Sequence, residues 1–293
     1  MSELIQQLVA GITLGCVYGL IALGYTLIFG VVRVIFFAQG ELSMIGAFAA
    51  LALFRAADVQ GPAALRLPAA ILVAAAGAVV VGVIAERLTV RPILEAPRTK
   101  QLVASLGVSL ILQNAIMLSV SPENLAFPSL VGARSFEFLG ARITAVQIFI
   151  LIATAVAVVA VQTVLHGSRL GLRIRAVAAN RETAKLDGIS VDRVMRSVFV
   201  IGSIAAALAG VMTASYDGIV KYNMGFLPGI KGFTAAILGG FGRPAGAILG
   251  GLVLGLSESL TAGYVSSTYK DVVAFAVLVV ILVVRPKGLV EAA

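Results

Sequence analysis

The sequence is poor in charge. Only 12% of its 293 residues are Asp, Glu, Lys or Arg, where a soluble domain of ordinary composition has roughly 25%. Hydrophobic residues make up 60%, and the mean hydropathy is +1.05. That much apolar surface cannot all be core, because a soluble protein must still cover itself with polar groups; the chain reads as an integral membrane protein. A single cysteine, Cys16, lies in an apolar segment, which excludes a disulfide framework and a Cys-ligated zinc site. The single histidine, His166, removes most His-based metal sites and His-centred catalysis, so no metal ligand set is expected. There is no GxxxxGK[ST], so the chain does not hold ATP in a P-loop. A Ser/His/Asp set, a spaced carboxylate pair and HExxH are all missing, and no catalytic residue or cofactor of its own is expected. The opening MSELIQQLVAG lacks a basic n-region and a small-residue cleavage site, so no removable signal peptide is expected.

Acids are also outnumbered, 14 against 22 Lys and Arg, which gives a net charge of +8 and a pI near 10. Such a balance can mark a nucleic-acid binder. Here the basic residues flank long apolar segments, which is the positive-inside signal that sets membrane topology. Lipid, not nucleic acid, is the expected surroundings.

What is present is a series of apolar runs. The first, 8–30, carries Gly11, Gly15 and Gly19 at four-residue spacing, which puts them on one helix face and lets another backbone approach closely. Tolerated glycines that pack against nothing are the alternative. The run at 42–54 is about 20 Å of helix, too short for a hydrocarbon core of roughly 30 Å. Extending it back to 34 makes a full span but brings Gln39, Gly40 and Glu41 to the membrane. Polar groups there usually face a cavity or protein interior, and a break at Gly40 would need shielding from lipid. Phe36, Phe37, Gln39, Gly40 and Glu41 are therefore candidate path-lining residues; an interfacial turn with Glu41 in water is the alternative. Further spans are read at 67–85, 101–120, 143–165 and 194–216, the second of them bearing Gln113 and Asn114 as amides that bond between helices. Residues 121–142 and 217–231 read as loops. A half-length helix to about 238, a turn at Arg243 and a helix over 245–260 follow, with Gly242, Gly246 and Gly250 again spaced by four, as are Gly251 and Gly255. Glu258 reads as an interfacial acid. The last run, 272–284, is expected to start earlier, near 264.

Residues 166–196 form a polar island with seven cations (Arg169, Arg173, Arg175, Arg181, Lys185, Arg193, Arg196) and three acids (Glu182, Asp187, Asp192). Residues 172–179 are Ala-rich and helix-forming. Asn180 is a good N-cap for a second short helix, Glu182 sits in its first turn where the dipole favours an acid, and Gly188 is placed to end it. Two short helices joined at Asn180, lying on the membrane face, make a dock for a protein partner; an amphipathic helix resting on anionic lipid is the alternative.

The expected fold is an all-α integral membrane protein in one polytopic domain over 1–293. It would have about eight transmembrane helices, at least one broken or re-entrant, plus short cytoplasmic helices in a segment at about 166–193. Charge places the 86–100 stretch, the island, Arg33, Arg243 and the tail in the cytoplasm, which puts the N-terminus outside and the C-terminus inside. A self-sufficient ion-coupled transporter or channel is disfavoured, since Glu41 and Glu258 are the only candidate embedded acids.

Several stretches carry a resemblance. GITLGCVYGLIALGYTLIFGVVRVIFFAQGELSMIGAF, RTKQLVASLGVSLILQN, GLRIRAVAANRETAKLDGISVDRV and GIKGFTAAILGGFGRPAGAILGGLVLGLSESL, with the closing VVILVVRPKGL, resemble the LivH-type permeases of bacterial importers for branched-chain amino acids. The resemblance covers nearly the whole chain. It implies an inner-membrane permease subunit of an ATP-binding-cassette importer, paired with a LivM-like permease. Two ATPase subunits, which bring ATP and magnesium, and a periplasmic binding protein would complete it. It further implies that Arg173, Arg175, Asn180, Arg181, Glu182, Lys185 and Gly188 belong to the ATPase coupling segment. One departure stands out: family members have an Asn-Phe-Ala-His-Gly pattern where this chain has Phe36-Phe37-Ala38-Gln39-Gly40. This leaves open the same architecture carrying urea, short amides or another small organic solute.

Overall fold

The structure is a computed structural model, and it describes all residues except 1, 58–62, 95, 133–134, 139–140, 285–288 and 290–293. Eleven α-helices appear among the described residues: α1 Ser2–Val32, α2 Gln39–Ala57, α3 Ala63–Ala85, α4 Arg98–Ser119, α5 Ala145–Gly167, α6 Arg169–Ala179, α7 Arg181–Leu186, α8 Val191–Asp217, α9 Phe226–Gly239, α10 Pro244–Tyr264 and α11 Lys270–Val284. A π-helical turn, Glu86–Val90, and a 3-10 turn, Arg91–Ile93, extend α3.

Six of these helices, α1, α3, α4, α5, α8 and α10, are long and apolar enough to cross a membrane, where the sequence suggested about eight crossings. Three further helices, α2, α9 and α11, are shorter or more polar. α2 starts at Gln39 and includes Glu41 and Arg55. α9 has 14 residues and α11 has 15, roughly 21 and 23 Å at 1.5 Å per residue. The turn between α10 and α11 occupies 265–269, so the last helix begins at Lys270 and not near 264.

α1 is the central pillar, with 89% of its most apolar window buried. Its main partner is α10, and the two meet along glycine. A Cβ added at Gly11 would lie 2.9 Å from the Leu256 Cα, and one at Gly15 would lie 2.7 Å from the Leu252 Cα. Across the seam, Cβ atoms at Gly251 and Gly255 would come within 2.6 Å and 2.5 Å of the Cα atoms of Gly19 and Gly15. No side chain fits between backbones this close, so the four-residue spacing is what allows the contact. Gly246 and Gly250 face the other way, onto Gly239 and Ala235 of α9. Gly242 does not pack at all: it lies in the α9–α10 turn at φ +88°, with open space where a Cβ would be. Its place in the four-residue series is coincidental, and its use is the left-handed backbone.

Two small antiparallel pairs interrupt the all-helical expectation. β1 Leu125–Ala126 pairs with β4 Ile219–Val220, and β2 Ser135–Phe138 pairs with β3 Ala141–Thr144. The Thr144 side chain and Gln147 form a reciprocal capping box that starts α5 immediately after β3, satisfying two orphan donors.

The two ends of the bundle are distinct. At one end Arg33 reaches the Ala178 carbonyl, Arg91 pairs with Asp192, and the turn at Phe241 and Gly242 shares a cavity with Arg33 and Arg98. Leu289 donates its backbone N–H to the Leu238 carbonyl, close to that turn, so the chain leaves α11 at the same end as the island. The start of α1 is at the opposite end, where Gln6 exchanges bonds with the Arg142 backbone and Gln7 accepts from Ser259. The tail cations Arg285 and Lys287, and Arg134, lie outside the described residues.

Candidate functional site

Three groups of residues make up the site. The first is the junction between α1 and α2. α1 ends at Val32, and Arg33 after it takes a left-handed backbone at φ 55°, a conformation costing a non-glycine residue about 1–2 kcal/mol. Residues 33–38 are not helical, so the interruption falls there and Gly40 lies inside the first turn of α2. Phe36 is buried edge-on against Phe199, with ring centroids 5.2 Å apart, and Phe37 stacks near Phe233 at 5.4 Å. Gln39 is fully buried and donates from Nε2 to the Gly202 carbonyl at 2.8 Å. Gly40 lies against α9, where a Cβ would come within 2.4 Å of the Gly225 carbonyl oxygen and 2.6 Å of the Gly229 Cα.

Glu41 is buried, not an interfacial acid in water. Its Oε1 accepts from Ser109 Oγ at 3.0 Å and from Gln113 Nε2 at 2.8 Å, both on α4. Gln113 is thus an interhelical amide. Asn114 is not: its side chain donates to the Leu110 carbonyl of its own helix and is exposed. Among the described residues Glu41 Oε2 and Gln39 Oε1 have no hydrogen-bond partner, so two buried acceptors in this segment are left open, an arrangement that costs stability.

The second group is the island. Ser168 caps α6 by accepting from the Gly171 N–H. Asn180 caps α7 by accepting from Glu182 N and Thr183 N, and Gly188 follows α7 at φ +75°. Its charged residues divide by direction. Arg175 donates to the Leu165 carbonyl and so closes the end of α5. Arg181 donates to the carbonyls of Val31 and Val32, the last two residues of α1. A cation on the C-terminal carbonyls of a helix answers both their open acceptors and the helix dipole. Burial, followed by the nearby Arg33, lowers the Arg181 pKa from its ordinary value. Arg173, Glu182 and Lys185 face outward, the last two paired at 3.0 Å. Leu172 and Leu186 stand beside them at 61% and 88% exposure. Neither leucine belongs to the residues expected from the sequence; large apolar side chains on so polar a segment are the signal that marks them. Arg173, Asp187, Gly188 and Arg193 also border an open groove of about 460 Å³.

The third group differs from the sequence expectation, which puts Lys231 in a loop and Glu258 at an interface. Both are buried, facing each other from α9 and α10 at 2.7 Å. Glu258 Oε2 accepts from the Tyr18 hydroxyl of α1 at 2.9 Å, Lys231 also pairs with Asp271 of α11 at 2.7 Å, and Lys270 lies 3.6 Å from Glu258. One ionic cluster therefore fastens four helices. It forms part of the wall of a cavity of about 720 Å³, bounded also by Gln113, Asp217 and Lys221. Among the described residues no group of three or more metal-ligating side chains occurs.

Known proteins agree with this architecture. The family profile for the permease component of the branched-chain amino acid transport system matches residues 7–282. This chain belongs to that permease family. The permease is 39% identical to LivH, the high-affinity branched-chain amino acid transport system permease protein of Salmonella typhimurium, over 97% of its own length and 94% of that protein. It is 38% identical to BraD, the corresponding permease protein of Pseudomonas aeruginosa, over 97% and 95%. It also aligns at 27% identity with RbsC, a ribose import permease protein of Escherichia coli, over 92% and 83%. Among solved structures it superposes on PsaBC of Streptococcus pneumoniae, determined in complex with a Fab. The TM-score is 0.54 at 13% identity, covering 98% of the permease and 93% of that chain, which supports the fold and nothing finer.

Proposed function

We propose that this chain is the transmembrane subunit of an ATP-driven importer that moves branched-chain or other hydrophobic amino acids across the bacterial inner membrane. The family match over nearly the whole chain carries the reading. The N-terminus lies on the periplasmic side; the C-terminus and the island lie in the cytoplasm, in keeping with the cations gathered at that end. Two ATPase subunits, which bind ATP and magnesium, sit under a permease pair completed by a LivM-like subunit, and a periplasmic binding protein delivers the cargo.

In this reading α6 and α7 are the coupling segment. Leu172, Arg173, Glu182, Lys185 and Leu186 form the face presented to the ATPase, and Asn180 and Gly188 shape it. Arg175 and Arg181 have a different duty. They bond the segment to the ends of α5 and α1, so that a rigid-body displacement of the ATPase is passed to the central pillar. Phe36, Phe37, Gln39, Gly40 and Glu41 line or gate the solute path, where the open Glu41 oxygen lies next to the start of α9. Charge reversal at Arg173 or Glu182, or Leu186→Asp, is expected to abolish ATP-driven uptake in the reconstituted importer while the protein still inserts. Normal uptake in all three variants would show that this face is not the coupling surface.

A further inference from the structure

The cavity between α1, α4, α8, α9 and α10 is built for more than packing. Its volume, about 720 Å³, falls within the ~300–1,000 Å³ of small-molecule sites. It lies at the end of the bundle away from the island, with Asp217, Lys221 and Lys270 at its border. Lys221 and Lys270 are the cations that act on Asp217. Yet among the described residues neither Asp217 nor Lys221 makes an ion pair or a side-chain hydrogen bond with any other group, whereas Lys231 and Glu258, deeper in the same cavity, are already paired with each other. Opposite charges that face one cavity without closing on each other are a receptor for a dipolar ion. The remaining wall is mixed: Leu14, Val17, Leu110 and Leu227 give it an apolar face, and Thr13, Thr213 and Asn223 are among its polar residues.

At its inner side the cavity reaches Gln113, which donates to Glu41. The other Glu41 oxygen is almost wholly buried, has no partner among the described residues, and lies where a Cβ on Gly225 would be only 2.9 Å away. Gly225 is flanked by Met224 and Phe226, both of which line the cavity. A buried, open carboxylate oxygen therefore stands just behind this wall, next to the α2 segment assigned to the solute path.

We infer that this cavity is a solute-binding site of the permease for a zwitterionic amino acid with an aliphatic side chain. Asp217 takes the ammonium group, Lys221 with Lys270 takes the carboxylate, and the aliphatic side chain lies on the leucine and valine wall. The solute then passes Gln113 toward Glu41. The inference rests on the transport reading above and adds the place and the recognition chemistry.

The test uses the assembled importer in lipid nanodiscs, without nucleotide, and measures binding of radiolabelled leucine with leucinol and 4-methylpentanoate as competitors. Leucinol lacks the carboxylate, and 4-methylpentanoate lacks the amine. Wild-type protein is expected to bind leucine and to discriminate against both analogues. Asp217→Asn should weaken leucine about tenfold and leave 4-methylpentanoate unchanged, since only the amine has lost its partner. Lys221→Gln should weaken leucine and leave leucinol unchanged. Glu137→Gln, on the exposed hairpin, serves as the control with wild-type binding. A fold defect in either variant would lower all three ligands together and would overturn the assignment of that residue. Uptake by the wild-type importer separates the two readings. Leucine uptake with variants that bind and select like wild type overturns the site alone, whereas wild-type protein that takes up no amino acid overturns the transport reading and this site with it.

Discussion

Lys231→Met removes the cation at the centre of the ionic cluster and leaves a side chain of similar length. Three contacts vanish, to Glu258 at 2.7 Å, to Asp271 at 2.7 Å and to the Tyr18 hydroxyl at 3.3 Å. Glu258 retains the Tyr18 hydroxyl and the more distant Lys270, but its side chain is only 3% exposed, so its charge is left largely uncompensated. Breaking one partner of a buried pair costs about 3–5 kcal/mol, while replacing both with apolar groups is often neutral. The single variant is thus expected to lose most of its thermal stability in detergent, and Lys231→Met with Glu258→Met together should recover the greater part. At roughly 1.4 kcal/mol per tenfold, the single loss is a shift of about 10²–10³ or more in the folding equilibrium. Unfolding curves of the purified protein, followed by accessibility of Cys16, which is buried, give the comparison directly. A single variant as stable as wild type, or a double variant no better than the single, would refute the reasoning that this pair is a desolvated fastener.

Two further outcomes follow from the packing and the island. Gly15→Ala should destabilise by about 1–3 kcal/mol, the ordinary cost of overpacking, because its Cβ would meet backbone of α10; Gly107→Ala, with open space around it, should gain up to ~1 kcal/mol in helix propensity, and both are read as midpoint shifts in thermal unfolding. Arg181→Gln should lower leucine uptake per ATP hydrolysed more than it lowers stability, since it frees the end of α1 from the coupling segment; equal loss in both would make Arg181 a structural residue only.

The features that the sequence made visible are local ones. Asn180, Glu182 and Gly188 announce α7 because capping depends on neighbours within a few residues. Gly11, Gly15 and Gly19 announce a seam because helical spacing puts them on one face. The same spacing misled at Gly242, since periodicity does not distinguish a packed helical glycine from one that turns the chain at positive φ. Lys231 and Glu258 were unreadable for a different reason. Each alone looks like a residue at a membrane boundary, and only the packing of α9 on α10, with α1 and α11 beside them, turns two costly charges into partners. The short strands were hidden because strands of two to four residues depend on the strand they pair with more than on their own propensity. The direction of Arg175 and Arg181, inward onto helix ends, likewise depends on where α1 and α5 stop in space.

The central claim is tested most directly by uptake of radiolabelled leucine into proteoliposomes that contain this permease, its partner permease and both ATPases, with the binding protein outside and ATP inside. The account predicts uptake that requires ATP hydrolysis and disappears when this chain or the ATPases are omitted. Uptake by the permease alone, driven by an ion gradient and indifferent to ATP, would contradict it.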